Sequence, residues 1–288
     1  MIKRIEQYLQ ERCEQYVGDF EKREYAAAEA KLKSMESRDA KILNVRAHAM
    51  NIKSRLENDK ETVQYRVHWE YFIKQKDFYY IEEEIESRVA VFERGECLRD
   101  EEAVQTVPEK YPESVELQYE SNERLLYSYD RLKAIQYAER YWSNYNSAYK
   151  SFGDDCTNFI SQCLHAGGAP MWGQSNRSKG WWYSGESWSW SWTVANALSL
   201  LLQNSKVGVR ALQVSSPQEL MLGDIICYDF EGDGRINHNT IVTAKDIYEM
   251  PLVNAHTYDS RMRYWSYEDS NKYTPQIQYR FYHIVDDA

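Results

Sequence analysis

The residues best suited to chemistry are gathered around Cys156. In GDDCTNFISQCLHAGG, which starts at Gly153, Asp154 or Asp155 can cap a helix and place Cys156 in its first turn. Unpaired backbone N–H groups and the helix dipole favour an anion there. A nearby imidazolium would lower the thiol further and give a competent nucleophile, although the two neighbouring carboxylates oppose this by repelling a thiolate. Phe159, Ile160, Cys163 and Leu164 already supply a core face for such a helix. Cys163 and Cys227 therefore read as structural thiols.

A base has to come from six histidines, at 48, 68, 165, 238, 256 and 283. The first two lie in a different region. His165 sits on the nucleophile's own helix, nine residues or about 13 Å further along the axis. His238 follows a strand and a tight turn in GDIICYDFEGDGRINH, and a hairpin presents an imidazole well, so it is the expected base. The third member should accept the other N–H of that imidazole. In LVNAHTYDS, His256 is the first choice and Asn254 the second, since residues two apart share one strand face. For the oxyanion, the N–H of Cys156 is the natural donor, helped by Tyr149, Asn146 or Gln162, with Tyr149 ranked first.

Nine Trp and 24 Tyr occur in the chain, and five of the Trp fall between Trp181 and Trp192. Alternating Trp188, Trp190 and Trp192, with Trp182, could form a flat substrate-binding wall for a sugar or peptide, or could simply fill the core beside the nucleophile. DFEGDG resembles the start of a calcium loop, but Thr240 stands where the bidentate Glu is needed, so it reads as a hairpin turn. Cys156, His238 and His256 could hold zinc by ligand type, yet a thiolate and an imidazole need no metal; neither a metal nor a cofactor is expected.

The elements that position these groups can be read more coarsely. Residues 1 to about 58 read as helix, through Ile2, Ile5, Leu9 and Cys13 and the run AAAEAKLKSM. Alternation over 62–92 predicts half-buried antiparallel strands. Residues 97–126 read as a connection, with the domain boundary near 125. Helices are expected over 127–142, over 154–165 with a stop at Gly167 and Gly168, and over 194–203 with Thr193 or Ser191 as cap. Strands follow at 224–230, 236–244, 252–258 and 277–285. The expected class is α+β: an N-terminal α+β domain at 1–125, helices then strands, and a catalytic domain at 126–288.

Bulk composition excludes several functions. The 35 Lys and Arg against 45 Asp and Glu leave a formal charge of −10, which repels phosphate backbones, so no nucleic-acid partner is expected. The start MIKRIEQYLQERCEQY is broken by charges and no long apolar run follows, so neither an export signal nor a membrane span is expected and the chain reads as cytoplasmic. Five scattered cysteines without a CxxC pair fit neither a disulfide framework nor a structural zinc site.

YDRLKAIQYAERYWSNYNSAYKSFGDDCTNFISQCLHAGGAPM, then GWWY, SWSWT, LGDIICYDFEGDGRINHNTIVT and NAHTYD, resemble the bacterial putative amidase domain family, a relative of the NlpC and CHAP groups of papain-like cysteine peptidases. The resemblance covers about 127–270. It implies a papain-like (NlpC/CHAP-type) core, with a nucleophile helix packed on a later sheet that carries the base. It also implies Cys156 as nucleophile, His238 as general base and His256 as polar third residue. The activity implied is amide hydrolysis through a thioester, on a peptide or peptidoglycan-fragment substrate. The competing expectation is a catalytically silent module that binds a glycan or peptide with the Trp wall.

Overall fold

The computed structural model describes residues 2–18, 25–103, 116–119 and 125–287. Along the chain run α1 (Ile2–Val17), α2 (Ala26–Ser37), β1 (Ala40–Glu57), β2 (Lys60–Gln75), β3 (Phe78–Glu93) and β4 (Glu96–Glu102). Then come α3 (Arg131–Tyr141), α4 (Cys156–Ala166), the two-residue strands β5 (Tyr183–Ser184) and β6 (Ser187–Trp188), the single turn α5 (Trp190–Thr193) and α6 (Ala195–Asn204). Strands β7 (Arg210–Val214), β8 (Ile225–Asp229), β9 (His238–Lys245), β10 (Pro251–Ala255), β11 (Ser260–Tyr264) and β12 (Gln278–Val285) complete a mixed α and β chain with antiparallel strand ladders. Among the described residues no helix is long and apolar enough to cross a membrane.

Two compact units emerge. The first is Met1–Thr106 with Tyr258–Met262 and Ser266–Asn271; the second is Val107–Thr257 with Arg263–Trp265 and Lys272–Ala288. This differs from a single cut near 125, because segments far along the chain belong with the N-terminal residues. Of the connection expected over 97–126, residues 104–115 and 120–124 lie outside the described residues.

In the first unit, β1 to β4 form successive antiparallel hairpins. The β1–β2 turn is Asn58–Asp59 at φ +46° and +63°, values these two residue types tolerate and that match the strand twist. Along β2 every second residue, Val63, Tyr65, Val67, Trp69, Tyr71 and Ile73, is buried, and Tyr16 of α1 packs its ring on Trp69 and Tyr71. The alternation over 62–92 is realised as β2 and β3. Helix was expected to run to about 58, yet residues 40–57 are β1. Intrinsic preference separates helix from strand by well under about 1 kcal/mol per residue, and a full ladder with β2 that buries Ile42 and Val45 outweighs it.

This unit also buries charge. Lys31 Nζ lies 2.7 Å from Glu82, 2.5 Å from Glu84 and 2.9 Å from Asp269. Those three carboxylates are close enough together to hold a cation, and the lysine ammonium fills that role. Arg12 and Arg88 share Asp100, at 3.3 and 2.7 Å.

In the second unit the sheet order is β10-β9-β8-β12-β7. Phe159, Ile160, Cys163 and Leu164 of α4 join Leu198, Leu201 and Leu202 of α6 and Ile225, Cys227 and Ile241 of the sheet in one core. Asp130 caps α3 by accepting the Lys133 N–H at 3.0 Å. Gly167 closes α4, as expected. The third expected helix is α6, but Val194 is its N-cap without a side-chain bond, because Ser191 and Thr193 are used in α5. The turn between β8 and β9 is a hairpin in which the Asp229 carboxylate accepts three backbone N–H groups, from Gly232, Asp233 and Gly234. Gly232 is required there: φ is +72° and a Cβ would come within 2.4 Å of the Gln276 carbonyl oxygen.

Candidate active site

Each polar residue of DCTNFISQ is held by a different part of the second unit. Thr157 Oγ1 accepts from Asn239 Nδ2 at 3.0 Å, and Asn158 Oδ1 accepts from Trp192 Nε1 at 2.9 Å. Ser161 Oγ accepts from Trp181 Nε1 and donates to the Trp192 carbonyl, both at 3.0 Å. Gln162 Oε1 accepts from Tyr137 OH at 2.7 Å, and that hydroxyl accepts from Asn146 Nδ2 at 2.8 Å. A helix whose buried polar groups are all satisfied in this way is fixed in rotation, and so is the direction of Cys156.

Asp155 stands at the N-cap but does not cap. Its Oδ1 accepts from the Phe152 N–H at 2.9 Å and from Asn158 Nδ2 at 3.0 Å, and its Oδ2 lies 2.8 Å from His256 Nδ1. The capping oxygen is Thr257 Oγ1, which accepts the N–H of Asp155 at 2.9 Å and of Cys156 at 3.1 Å. The partner of the first turn of α4 thus comes from about 100 residues further along the chain.

Cys156 is 5% exposed. Burial pushes its thiol up to about 11; hydrogen bonds from Thr157 and from the backbone N–H of Asn239 pull the other way, and the Asp154 and Asp155 carboxylates add to the rise. His238, 3% exposed, is pushed down to about 3 by burial, with the Arg263 guanidinium adding to the effect. An acidic thiol paired with an imidazolium was expected. Exclusion of water outweighs the helix dipole and leaves a neutral thiol and a neutral imidazole.

On β9, Asn239 points to α4 through Thr157. His238 and Thr240 point to the side of Tyr228, whose ring centroid is 5.7 Å from that of His238 and whose hydroxyl is 3.1 Å from Thr240 Oγ1. Phe230 lies 6.1 Å from the imidazole. Cys156 Sγ meets β9 at the Asn239 N–H, one residue from His238.

The remaining expected residues have other surroundings. His256 is clamped: Nδ1 on Asp155, Nε2 on the Tyr141 carbonyl at 2.7 Å, and the ring between Phe159 at 4.0 Å and Tyr145 at 4.4 Å. Both nitrogens being engaged, His256 orients Asp155 in this geometry, not the imidazole of His238, and offers no nitrogen to a metal. Asn254 donates to Glu139 at 2.8 Å and accepts from Thr243 at 2.9 Å. Half-buried Tyr149 stacks on Trp192 at 6.0 Å and meets Tyr183 at 5.1 Å.

The four candidate wall tryptophans do not form an open aromatic face. Trp182, Trp188 and Trp192 are buried, the first and last by their ring N–H bonds to the Asn176 carbonyl and to Asn158. Trp190 is half-buried with the Arg177 guanidinium 3.8 Å over its ring. Of the four, Trp192 packs on α4 through its ring N–H bond to Asn158, whereas the ring N–H of Trp182 bonds to the loop carbonyls of Asn176 and Lys179. Sequence reasoning missed Thr257, Asn239 and Arg263. The first two are neighbours of His256 and His238 and were visible only as members of the same motifs.

A family model described as a putative amidase domain matches residues 128–282. The chain is 51% identical over 285 residues to the uncharacterized protein YhbB of Bacillus subtilis, covering 96% of this chain and 90% of that protein. It is 32% identical over 126 residues to the uncharacterized protein YjcM of the same organism, covering 41% of this chain and 28% of that protein. No solved structure matches significantly.

Proposed function

The chain belongs to the putative amidase domain family, and from that premise we propose that it is a cysteine-dependent amide hydrolase with Cys156 as nucleophile and His238 as general base. The observation that carries this reading is the location of Cys156: the first turn of a helix locked in rotation, with its sulfur at the backbone N–H of Asn239, the residue that follows His238 in β9. A papain-like arrangement is the fold reading that goes with it, supported by the nucleophile helix packing on a sheet whose strand β9 starts at the proposed base.

That both groups rest neutral sets the proton's path. His238 accepts the thiol proton as the sulfur attacks the amide carbon, and the developing oxyanion takes the Cys156 N–H, with Tyr149 as the proposed second donor. Collapse breaks the C–N bond, and the proton on His238 goes to the departing amine. His238 then deprotonates a water that attacks the thioester, releasing the acid and restoring the thiol. A peptide of the cell-wall class is the proposed substrate, and this part rests on family analogy. The silent binding module draws less support, since the rings it needs are packed in the core.

Purified full-length protein assayed on peptidoglycan-fragment peptides by release of new amino groups tests the reading. Cys156→Ala and His238→Ala should each lower turnover by at least about 10³-fold while the fold is retained. Wild-type turnover by Cys156→Ala would overturn it.

A further inference from the structure

Thr257 follows His256 in the turn after β10, and it is this side chain that holds the first turn of α4. Its backbone has φ +77°, a left-handed value that a β-branched residue adopts only under constraint. The residues before it supply that constraint: Asn254 is bonded to Glu139 and Thr243, and His256 to Asp155 and Tyr141. An ordinary cap comes from the residue preceding the helix, without strain. Here that residue, Asp155, has turned its carboxylate to His256, and a strained threonine about 100 residues away takes over.

The geometry points to Thr257 as the gate of the nucleophile: its hydroxyl takes the Cys156 N–H that an amide oxygen needs on becoming an oxyanion, and the site turns competent when this side chain withdraws. The inference rests on Cys156 being the nucleophile. An N–H aimed at an oxygen 3.1 Å away is already committed, and a donor stabilises a developing oxyanion only if it is aimed at that oxyanion. A rotation about χ1 of Thr257 is enough to withdraw the hydroxyl from both N–H groups. Once released, the N–H groups of Asp155 and Cys156 and the water that follows them favour a thiolate as well as an oxyanion.

Alkylation by iodoacetamide, followed by peptide mass spectrometry on the full chain at fixed pH, tests the gate without a substrate. Thr257→Val removes the acceptor at nearly constant volume, Thr257→Gly removes it and relieves φ, and Thr257→Ser restores it. Losing a capping oxygen predicts a roughly tenfold faster reaction at Cys156 in the Val and Gly variants, with Ser within about twofold of wild type. Cys163 and Cys227, fully buried in the core, should keep their wild-type rates. If Val does not fold, Gly carries the test, since φ +77° costs glycine little. An unchanged or slower Cys156, or equal acceleration of all three cysteines, overturns the gate and leaves Thr257 a structural cap. Persistence of amide hydrolysis in Cys156→Ala removes the nucleophile reading itself, and the gate with it, whatever the alkylation rates.

Discussion

In the first unit the buried Lys31 ammonium is surrounded by Glu82, Glu84 and Asp269, and Arg12 and Arg88 close on Asp100. In the second unit the buried thiol of Cys156 faces the carboxylates of Asp154 and Asp155, and the buried imidazole of His238 faces the guanidinium of Arg263. Opposite charge meets charge in one place; like charge meets a titratable group in the other. Burial raises the carboxyl of Glu82 as well, but Lys31 pulls it back toward the charged form. Around Cys156 and His238 the largest influence, burial, and the neighbouring charges act together to keep both groups neutral. Pairing of the first kind keeps buried groups charged, whereas burial beside like charge moves the thiol up and the imidazole down and leaves both neutral.

Acid should break this contrast with the largest effect. The unfolded chain takes a proton on a histidine from about pH 6.5, whereas the folded protein holds His238 neutral down to about 3. Protons therefore favour the unfolded chain inside that window. Stability from this group is intact above pH 6.5 and falls as the pH drops, by about 1.4 kcal/mol per pH unit and roughly 5 kcal/mol in total. Urea titrations of His238→Gln across the window should give a flatter curve than wild type, and parallel curves would mean that the imidazole is not held neutral.

The paired side of the comparison breaks next. Lys31→Met leaves three neighbouring carboxylates without their cation and should cost about 3–5 kcal/mol at pH 7, with the loss shrinking in acid as they protonate. A variant as stable as wild type at neutral pH would show that the ammonium does not hold this cluster. A neutral hydrogen bond sets the low end of the scale. Ser161→Ala deprives the Trp181 ring N–H of its acceptor and should cost about 1–3 kcal/mol, without pH dependence between 5 and 8. A pH-dependent loss would place a titrating group in that network.

These cases also separate what could be read along the chain from what could not. The helix at α4, its stop at Gly167, the β8–β9 hairpin and the strands β2 and β3 were legible, because each rests on signals a few residues apart: apolar spacing, a turn-forming Gly, alternation. Residues 40–57 were misread for the same reason in reverse. Ala, Arg, Met and Leu there prefer helix locally, and only the ladder with β2 makes them a strand. The tryptophan cluster announced a special region but not its direction, since burial depends on what arrives opposite. His256 was noticed as a polar partner, yet its carboxylate turned out to be Asp155, 101 residues earlier.

By itself, then, the sequence determined part of the local frame of the candidate site: a cysteine at a helix start and a histidine at the head of a hairpin strand. Local frames follow from propensity, capping and periodicity, which act over one or two turns of chain. Only the tertiary structure decided which oxygen caps α4, which carboxylate His256 holds, and that Cys156 and His238 rest neutral. Those outcomes depend on water being excluded and on groups about a hundred residues apart being brought within hydrogen-bond distance, 2.8–3.1 Å, and no property of a short segment fixes either one.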